Sequence, residues 1–210
     1  AVDAEINVWA ARGVVAHFRR NDPAGDGLEP WVSIDKPLAP LLAEVLGADG
    51  EDEVAAMNTL TGNLHTLLAA FYKPTQTRYK ILFEDKAFPS DFYAFQGQAR
   101  MHGLDPATAL VPLKPREGEY TLRTEDILAA IDEHKESLAA VVFSGIQFYT
   151  GQYFDIKTIT SHAHAASPEI VVGWDLAHAA GNVDLRLHDW DVDFACFCSY
   201  KYLNSGPGGI

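Results

Sequence analysis

Two short, nearly uninterrupted apolar runs constrain this chain more than any other feature: Ala139-Ala140-Val141-Val142-Phe143-Ser144 and Ile170-Val171-Val172-Gly173-Trp174-Asp175. A strand with one wet face alternates apolar and polar residues, whereas a run apolar at almost every position is buried on both faces, as in a parallel sheet. Parallel neighbours need a crossover, and 156–166 supplies a helical stretch between the two runs. The expected fold class is therefore α/β, a mostly parallel sheet layered between helices. In open parallel sheets, ligands sit beyond the carboxyl ends of the strands. That rule gives meaning to Ser144 and Asp175, the polar residues that end the two runs.

The rest of the chain fits around this unit. Residues 3–18 place Ile6, Trp9, Ala10, Val14 and Phe18 at roughly helical spacing and predict an amphipathic helix. A polar loop follows over 19–30, then a helix over 38–46 that Gly47 stops. Thr61 stands as the expected N-cap of an apolar-rich helix that Pro74 closes. Strands are predicted at 79–84, 110–113 and 192–199, and a helix at 91–102 before Gly103. Another helix opens at Thr124, read as a cap ahead of an acidic first turn of Glu125 and Asp126. Phe88 to Asp91 then follow one strand, while Ser144, Asp175 and Tyr200-Lys201 close three others, so one pocket can hold them all.

Charge excludes whole classes of partner. Asp plus Glu number 29 against 16 Lys plus Arg, a formal net charge of −13, which repels phosphate backbones and anionic membranes. No nucleic-acid or membrane partner is expected, no apolar run approaches the ~20 residues that cross a bilayer, and the first residues lack a signal-peptide pattern. Cys196 and Cys198, two apart in a predicted buried strand, read as core thiols, give no disulfide framework and suit a cytoplasmic protein. The missing initiator Met and the Gly-rich finish at 205–210 suggest a chain truncated at both ends.

A pyridoxal-phosphate site needs a lysine for the cofactor aldehyde, an acid for the pyridine nitrogen, an aromatic face, and helix N–H groups with hydroxyls for the phosphate. Lys201, Asp175, Phe88 and Thr61 are the candidates, with Ser199, Tyr200 and Tyr202 around the lysine. Spacing alone leaves other readings open. A lysine after a strand is often a solvated charge, Asp175 can simply cap the next turn, and Phe88 and Pro89 can be core and turn. Asp175 and His178 have a metal-like spacing but no third ligand, so no metal is expected. No Gly-x-Ser-x-Gly elbow, dinucleotide fingerprint or Walker lysine occurs.

Longer words are more specific. Met57-Asn58-Thr59-Leu60-Thr61-Gly62-Asn63-Leu64-His65, Lys86-Ala87-Phe88-Pro89-Ser90-Asp91 and Phe148-Tyr149-Thr150-Gly151-Gln152 occur in that order. They are followed by Trp174-Asp175-Leu176-Ala177-His178-Ala179-Ala180-Gly181-Asn182 and Cys198-Ser199-Tyr200-Lys201-Tyr202-Leu203-Asn204. Together they resemble the kynureninases, over essentially the whole chain. The resemblance implies an aspartate-aminotransferase-like (fold type I) large domain over 48–210, without its C-terminal small domain, behind a helical segment over 1–47. It implies pyridoxal 5'-phosphate as cofactor and an amino-acid substrate, kynurenine or 3-hydroxykynurenine, hydrolysed to anthranilate or 3-hydroxyanthranilate plus alanine. It further implies a place in tryptophan breakdown and nicotinamide-cofactor synthesis, and a homodimer with the site at the subunit interface.

Residue by residue, the resemblance makes Lys201 the Schiff-base lysine and the base for the substrate Cα proton, and Asp175 the partner of the pyridine nitrogen. Phe88 would stack on the ring beside Pro89, Ser90 and Asp91, while Leu60 and Thr61 would bind phosphate. Tyr200 would hydrogen-bond the phosphate and serve proton transfer, Ser144 and His178 would contact the cofactor, and His17 would recognise substrate. Two rivals remain: another fold type I enzyme, such as a cysteine desulfurase or aminotransferase, and a cofactor-binding fragment that turns nothing over.

Overall fold

The structure, a computed structural model, describes residues 2–18 and 29–206. Its centre is a five-stranded, all-parallel sheet of order β2-β1-β3-β4-β5, built from β1 (Lys80–Glu84), β2 (Leu110–Leu113), β3 (Leu138–Ser144), β4 (Val171–Asp175) and β5 (Phe194–Cys196). The two apolar runs are adjacent strands in register, with Ser144 opposite Asp175. Alternation within β3 feeds two cores. Val141 and Phe143 join Ile127, Ile131, Ile159 and Trp174 on one face. Ala140 and Val142 join Leu64, Leu68, Phe83 and Phe95 on the other. The first core is covered by α6 (Thr124–His134) and α7 (Ile156–Ala166), the second by α3 (Leu60–Phe71) and α4 (Pro89–Met101). Even the buried Trp174 indole is satisfied, donating to Thr160 Oγ1 at 3.2 Å.

Chain order explains where a site must lie. From β1 the chain goes to β2 on one side, then returns to place β3 on the other. Such a reversal opens a crevice at the carboxyl ends of the strands. It falls between β1 and β3, whose last residues are Glu84 and Ser144.

Several expectations are corrected at element ends. The cap of α3 is Thr59, whose side chain accepts from the Gly62 amide, so Thr61 is the second helical residue. Helix α4 starts at Pro89 because proline fits the first turn of a helix, which places Ser90 and Asp91 inside that turn. Arg123, with no side-chain cap, precedes α6, and Thr124 is its first residue. The strand expected at 192–199 shrinks to three residues: β5 is an edge with one neighbour, and Tyr200-Lys201 lie in a turn beyond it. A short α5 (Pro106–Ala109), capped by Asp105, went unpredicted.

At the N-terminus, α1 (Val2–Arg12) gives way to a 3₁₀ turn, Gly13–His17, because Gly13 takes a left-handed φ of 53°. Of its apolar residues only Val8 and Ala16 are buried, while Ile6, Trp9, Val14 and Phe18 are exposed. Most of the expected polar loop at 19–30 lies outside the described residues. Helix α2 (Ala39–Leu46) ends as expected at Gly47, with φ 62°. There the chain is sewn to the sheet domain by Leu187 N–H to Leu46 O and His188 N–H to Gly47 O, both 3.1 Å. A Cβ at Gly47 would sit 2.2 Å from the Leu185 carbonyl oxygen, backbone that cannot step aside. Gly47→Ala is expected to destabilise the protein by roughly 2 kcal/mol or more, adding left-handed strain to that clash, as a urea melt would read.

Candidate active site

The crevice holds a cavity of about 440 Å³ lined from five places in the chain. Leu60 and Thr61 come with Thr59 from the start of α3, Phe88 and Ser90 from the N-cap and first turn of α4, and Ser144 from the end of β3. Asp175 and His178 follow β4, and Tyr200 and Lys201 follow β5. Nine of the twelve residues singled out in the sequence therefore meet in one cavity. Pro89 and Asp91 sit next to it in the first turn of α4, Asp91 being buried. His17 is not brought there: its ring packs edge-on against Trp31 at 5.2 Å and bonds the Val14 carbonyl. Thr59, Ile146, Phe148 and Ala177 complete the lining and were not singled out.

Each group is held by its local fold. Asp175 is buried at a strand end, and its Oδ1 accepts from the Ala177 amide at 2.7 Å, so the carboxylate organises the turn that carries His178. Lys201 Nζ lies 3.1 Å from His178 Nε2 and 5.6 Å from the Phe88 ring centroid. Burial first, and then the Lys201 charge, hold His178 below the usual histidine range, so its ring is a neutral acceptor for the ammonium. The lysine turn is closed behind it by Asn204 N–H to Lys201 O and Ser205 N–H to Ser199 O, both 3.1 Å. The Tyr200 phenol is raised above its ordinary value, first by a hydrogen bond with Cys198. Phe88 meets Phe148 edge-to-face at 5.2 Å.

Opposite the lysine, α3 presents its first turn to the cavity. Thr59 pairs the Gly62 amide, and the amides of Leu60 and Thr61 have no carbonyl within the helix to pair with. Such a helix start favours an anion.

Below the cavity lies a buried acidic cluster. Glu84 accepts from Ser144 Oγ at 2.5 Å and from Ser144 N at 3.3 Å. Burial pushes Glu84 up to about 7, against the Ser144 hydrogen bonds. Burial, with the neighbouring Asp175 charge and hydrogen bond, pushes Asp91 up to about 9. Like charges so close cannot all ionise, so Asp91 holds its proton at neutral pH. Glu84 was missed in the sequence, although a carboxylate ending an apolar run was the same signal that marked Asp175.

These shifts carry a sign. Acids whose folded values are raised stabilise the fold at low pH and lose that contribution as pH rises through the folded values. The full-length apoprotein is therefore expected to lose stability, on the order of a few kcal/mol, between about pH 5 and pH 9. Asp91→Asn should remove most of the upper part of that loss in melts followed across pH.

Comparisons with known proteins agree with this geometry. The aminotransferase class-V profile matches residues 40–210. Kynureninase from Saccharomyces cerevisiae is 57% identical over the whole of this chain and 46% of its own length. Kynureninase from Nematostella vectensis is 56% identical over the whole chain and 43% of its own. The chain thus spans about half the length of the relatives it matches. Among solved structures, the cystine C-S lyase C-DES, in complex with cysteine persulfide, superposes with a TM-score of 0.72 at 18% identity, covering 99% of this chain and 50% of that one. Alanine–glyoxylate aminotransferase from Nostoc sp. gives 0.67 at 20%, covering 97% and 48%. A C-DES mutant that carries glycine covalently linked to its PLP cofactor gives 0.70 at 17%, covering 99% and 50%. The resemblance first read from five sequence words extends over every residue of the chain, and the parallel sheet with its flanking helices is the fold these structures share. With four-fifths of its length matched by one profile, the chain belongs to the aminotransferase class-V family.

Proposed function

We propose that the full-length protein is a pyridoxal-phosphate-dependent kynureninase, a hydrolase cutting a carbon–carbon bond in kynurenine or 3-hydroxykynurenine to give alanine and an anthranilate. The observation that carries this reading is a buried Asp175 carboxylate and a Lys201 amine lining the same cavity as an unpaired helix start. Those residues fit the cofactor: an anion for a protonated pyridine nitrogen, an amine for an aldehyde, a phenyl ring for a flat heterocycle, and free amides for a phosphate. Relatives named kynureninase at 56–57% identity support this substrate over those of the aminotransferases and desulfurases that share the fold.

Bound there, the cofactor supplies an electron sink for charge developing on the substrate. The chain does the rest. Asp175 holds the proton on the ring nitrogen, with Asp91 hydrogen-bonded behind it. Phe88, beside Pro89 and Ser90, would cover the ring, and Ser144 and His178, which line the cavity, would contact the cofactor. Leu60, Thr61 and Tyr200 hold the phosphate. Lys201 would hold the cofactor aldehyde and, as a free amine, would take and return the substrate Cα proton, with His178 Nε2 3.1 Å from its Nζ to orient it. Tyr200, whose phenol keeps its proton, is a second donor.

The same reading divides the chain into a helical segment over 1–47 and a cofactor-binding unit over 48–210. It makes the protein a cytoplasmic homodimer acting in tryptophan breakdown and nicotinamide-cofactor synthesis. The exposed apolar side chains of α1 fit burial against a second subunit, and His17 recognises substrate only if that subunit's cavity lies within its reach. Full-length protein with pyridoxal phosphate should release alanine and a fluorescent anthranilate from kynurenine in equal amounts. Transamination products, or sulfur release from cysteine, in place of anthranilate would sink the assignment.

A further inference from the structure

The loop after β3 carries a buried glutamine that the reading above leaves without a role. Gln147 is 7% exposed and does not line the cavity. Its Oε1 accepts from the amides of Tyr149 at 2.7 Å and Thr150 at 2.9 Å, which folds the loop around it. Its Nε2 reaches across to donate to the Lys86 carbonyl at 3.1 Å. Lys86 stands two residues before Phe88 with a left-handed φ of 59°, a backbone state that a lysine keeps only where its surroundings hold it. The next residue after the glutamine is Phe148, whose ring meets Phe88 edge-to-face at 5.2 Å. Two loops from different strands thus form one aromatic wall, joined at the rings on the cavity side and at Gln147 behind.

We propose that Gln147 is a positioning residue: its amide donates across to Lys86 and fixes the Phe88 loop, and so the aromatic face presented to a flat ligand in the cavity. The inference rests on the cofactor reading above, because Phe88 must have a ring to cover. Its chemistry is specific. The carbonyl end shapes the glutamine's own loop and the amino end makes the bridge, so the two functions can be cut separately. A carboxylate at this position keeps the acceptor and loses the donor, whereas a protonated carboxyl regains a donor.

The test uses full-length protein and pyridoxal phosphate itself, read by the dissociation constant and the visible circular dichroism of the bound cofactor, with thermal melts as the control for folding. Gln147→Met should weaken cofactor binding about tenfold, the scale of one buried hydrogen bond, and flatten the dichroic band. Gln147→Glu should match the wild type at low pH and fall below it in affinity and dichroism as pH rises, the two being compared at each pH because Glu84 and Asp91 titrate beside the cavity. Should either variant fold poorly, Phe148→Ala, which removes the ring contact at the other end of the wall, is expected to flatten the band in the same way. Wild-type affinity and dichroism in Gln147→Met, or undiminished dichroism in Phe148→Ala, would overturn the proposal. A wild type that binds no pyridoxal phosphate would instead overturn the cofactor reading.

Discussion

Lys201→Ala in the full-length protein is expected to abolish covalent capture of pyridoxal phosphate and to cut kynurenine turnover by at least about 10³-fold. Among the described residues Lys201 is the one lysine or arginine lining the cavity, so none of them is placed to take over as amine. Two functions fall together: attachment of the cofactor and transfer of the Cα proton, the latter alone a step for which a positioned base contributes about 10²–10⁴-fold. The variant should fold, because the side chain is partly exposed and its turn is closed by backbone bonds that alanine keeps. Removing the ammonium also lifts the charge that helps depress His178, so that histidine should titrate closer to its ordinary value. Stopped-flow absorbance with kynurenine and a proton-NMR titration of His178 check the two halves. Turnover within tenfold of the wild type would move the catalytic amine elsewhere.

Asp175→Asn is the second large effect, expected at about 10²–10⁴-fold in turnover with weaker cofactor retention. Asparagine has the same shape, and its oxygen can still accept from the Ala177 amide, so the turn bearing His178 should survive. What disappears is the charge facing a protonated ring nitrogen. Asp91 makes the informative contrast. It is buried next to Asp175 and already neutral at pH 7, so Asp91→Asn should cost far less in turnover than Asp175→Asn. Steady-state kinetics and cofactor titrations on the two variants would separate charge from packing. Equal losses would mean that Asp91 carries charge in the working enzyme.

The sequence was most legible where burial is total. The runs ending at Ser144 and Asp175 pair as adjacent parallel strands, and the crossover helix at 156–166 matches α7 residue for residue. Such segments answer to one rule, the exclusion of water from both faces. Element ends answer to several. Threonines two apart at 59 and 61 can both cap a helix, and only the backbone chose Thr59. The helix expected from Asp91 starts two residues earlier, because Pro89 fits its first turn. The stripe along 3–18 has helical spacing, but spacing does not name its partner, and in this chain most of it meets water.

Of the site, the residues at strand ends and in the sequence words were legible, since topology gathers them at one crevice. The contacts of Glu84 and Gln147 were not. Each acts through a neighbour, Ser144 in one case and the Lys86 carbonyl in the other, and sequence alone does not show a contact across 60 residues.

The central claim is that Lys201 holds pyridoxal phosphate in this cavity. Borohydride reduction of the full-length protein with cofactor bound, followed by peptide mass spectrometry, tests it most directly. The account predicts a reduced pyridoxyl group on the peptide containing Lys201 and on no other. A label on Lys86 or Lys80 instead, or no label at any lysine, would contradict it.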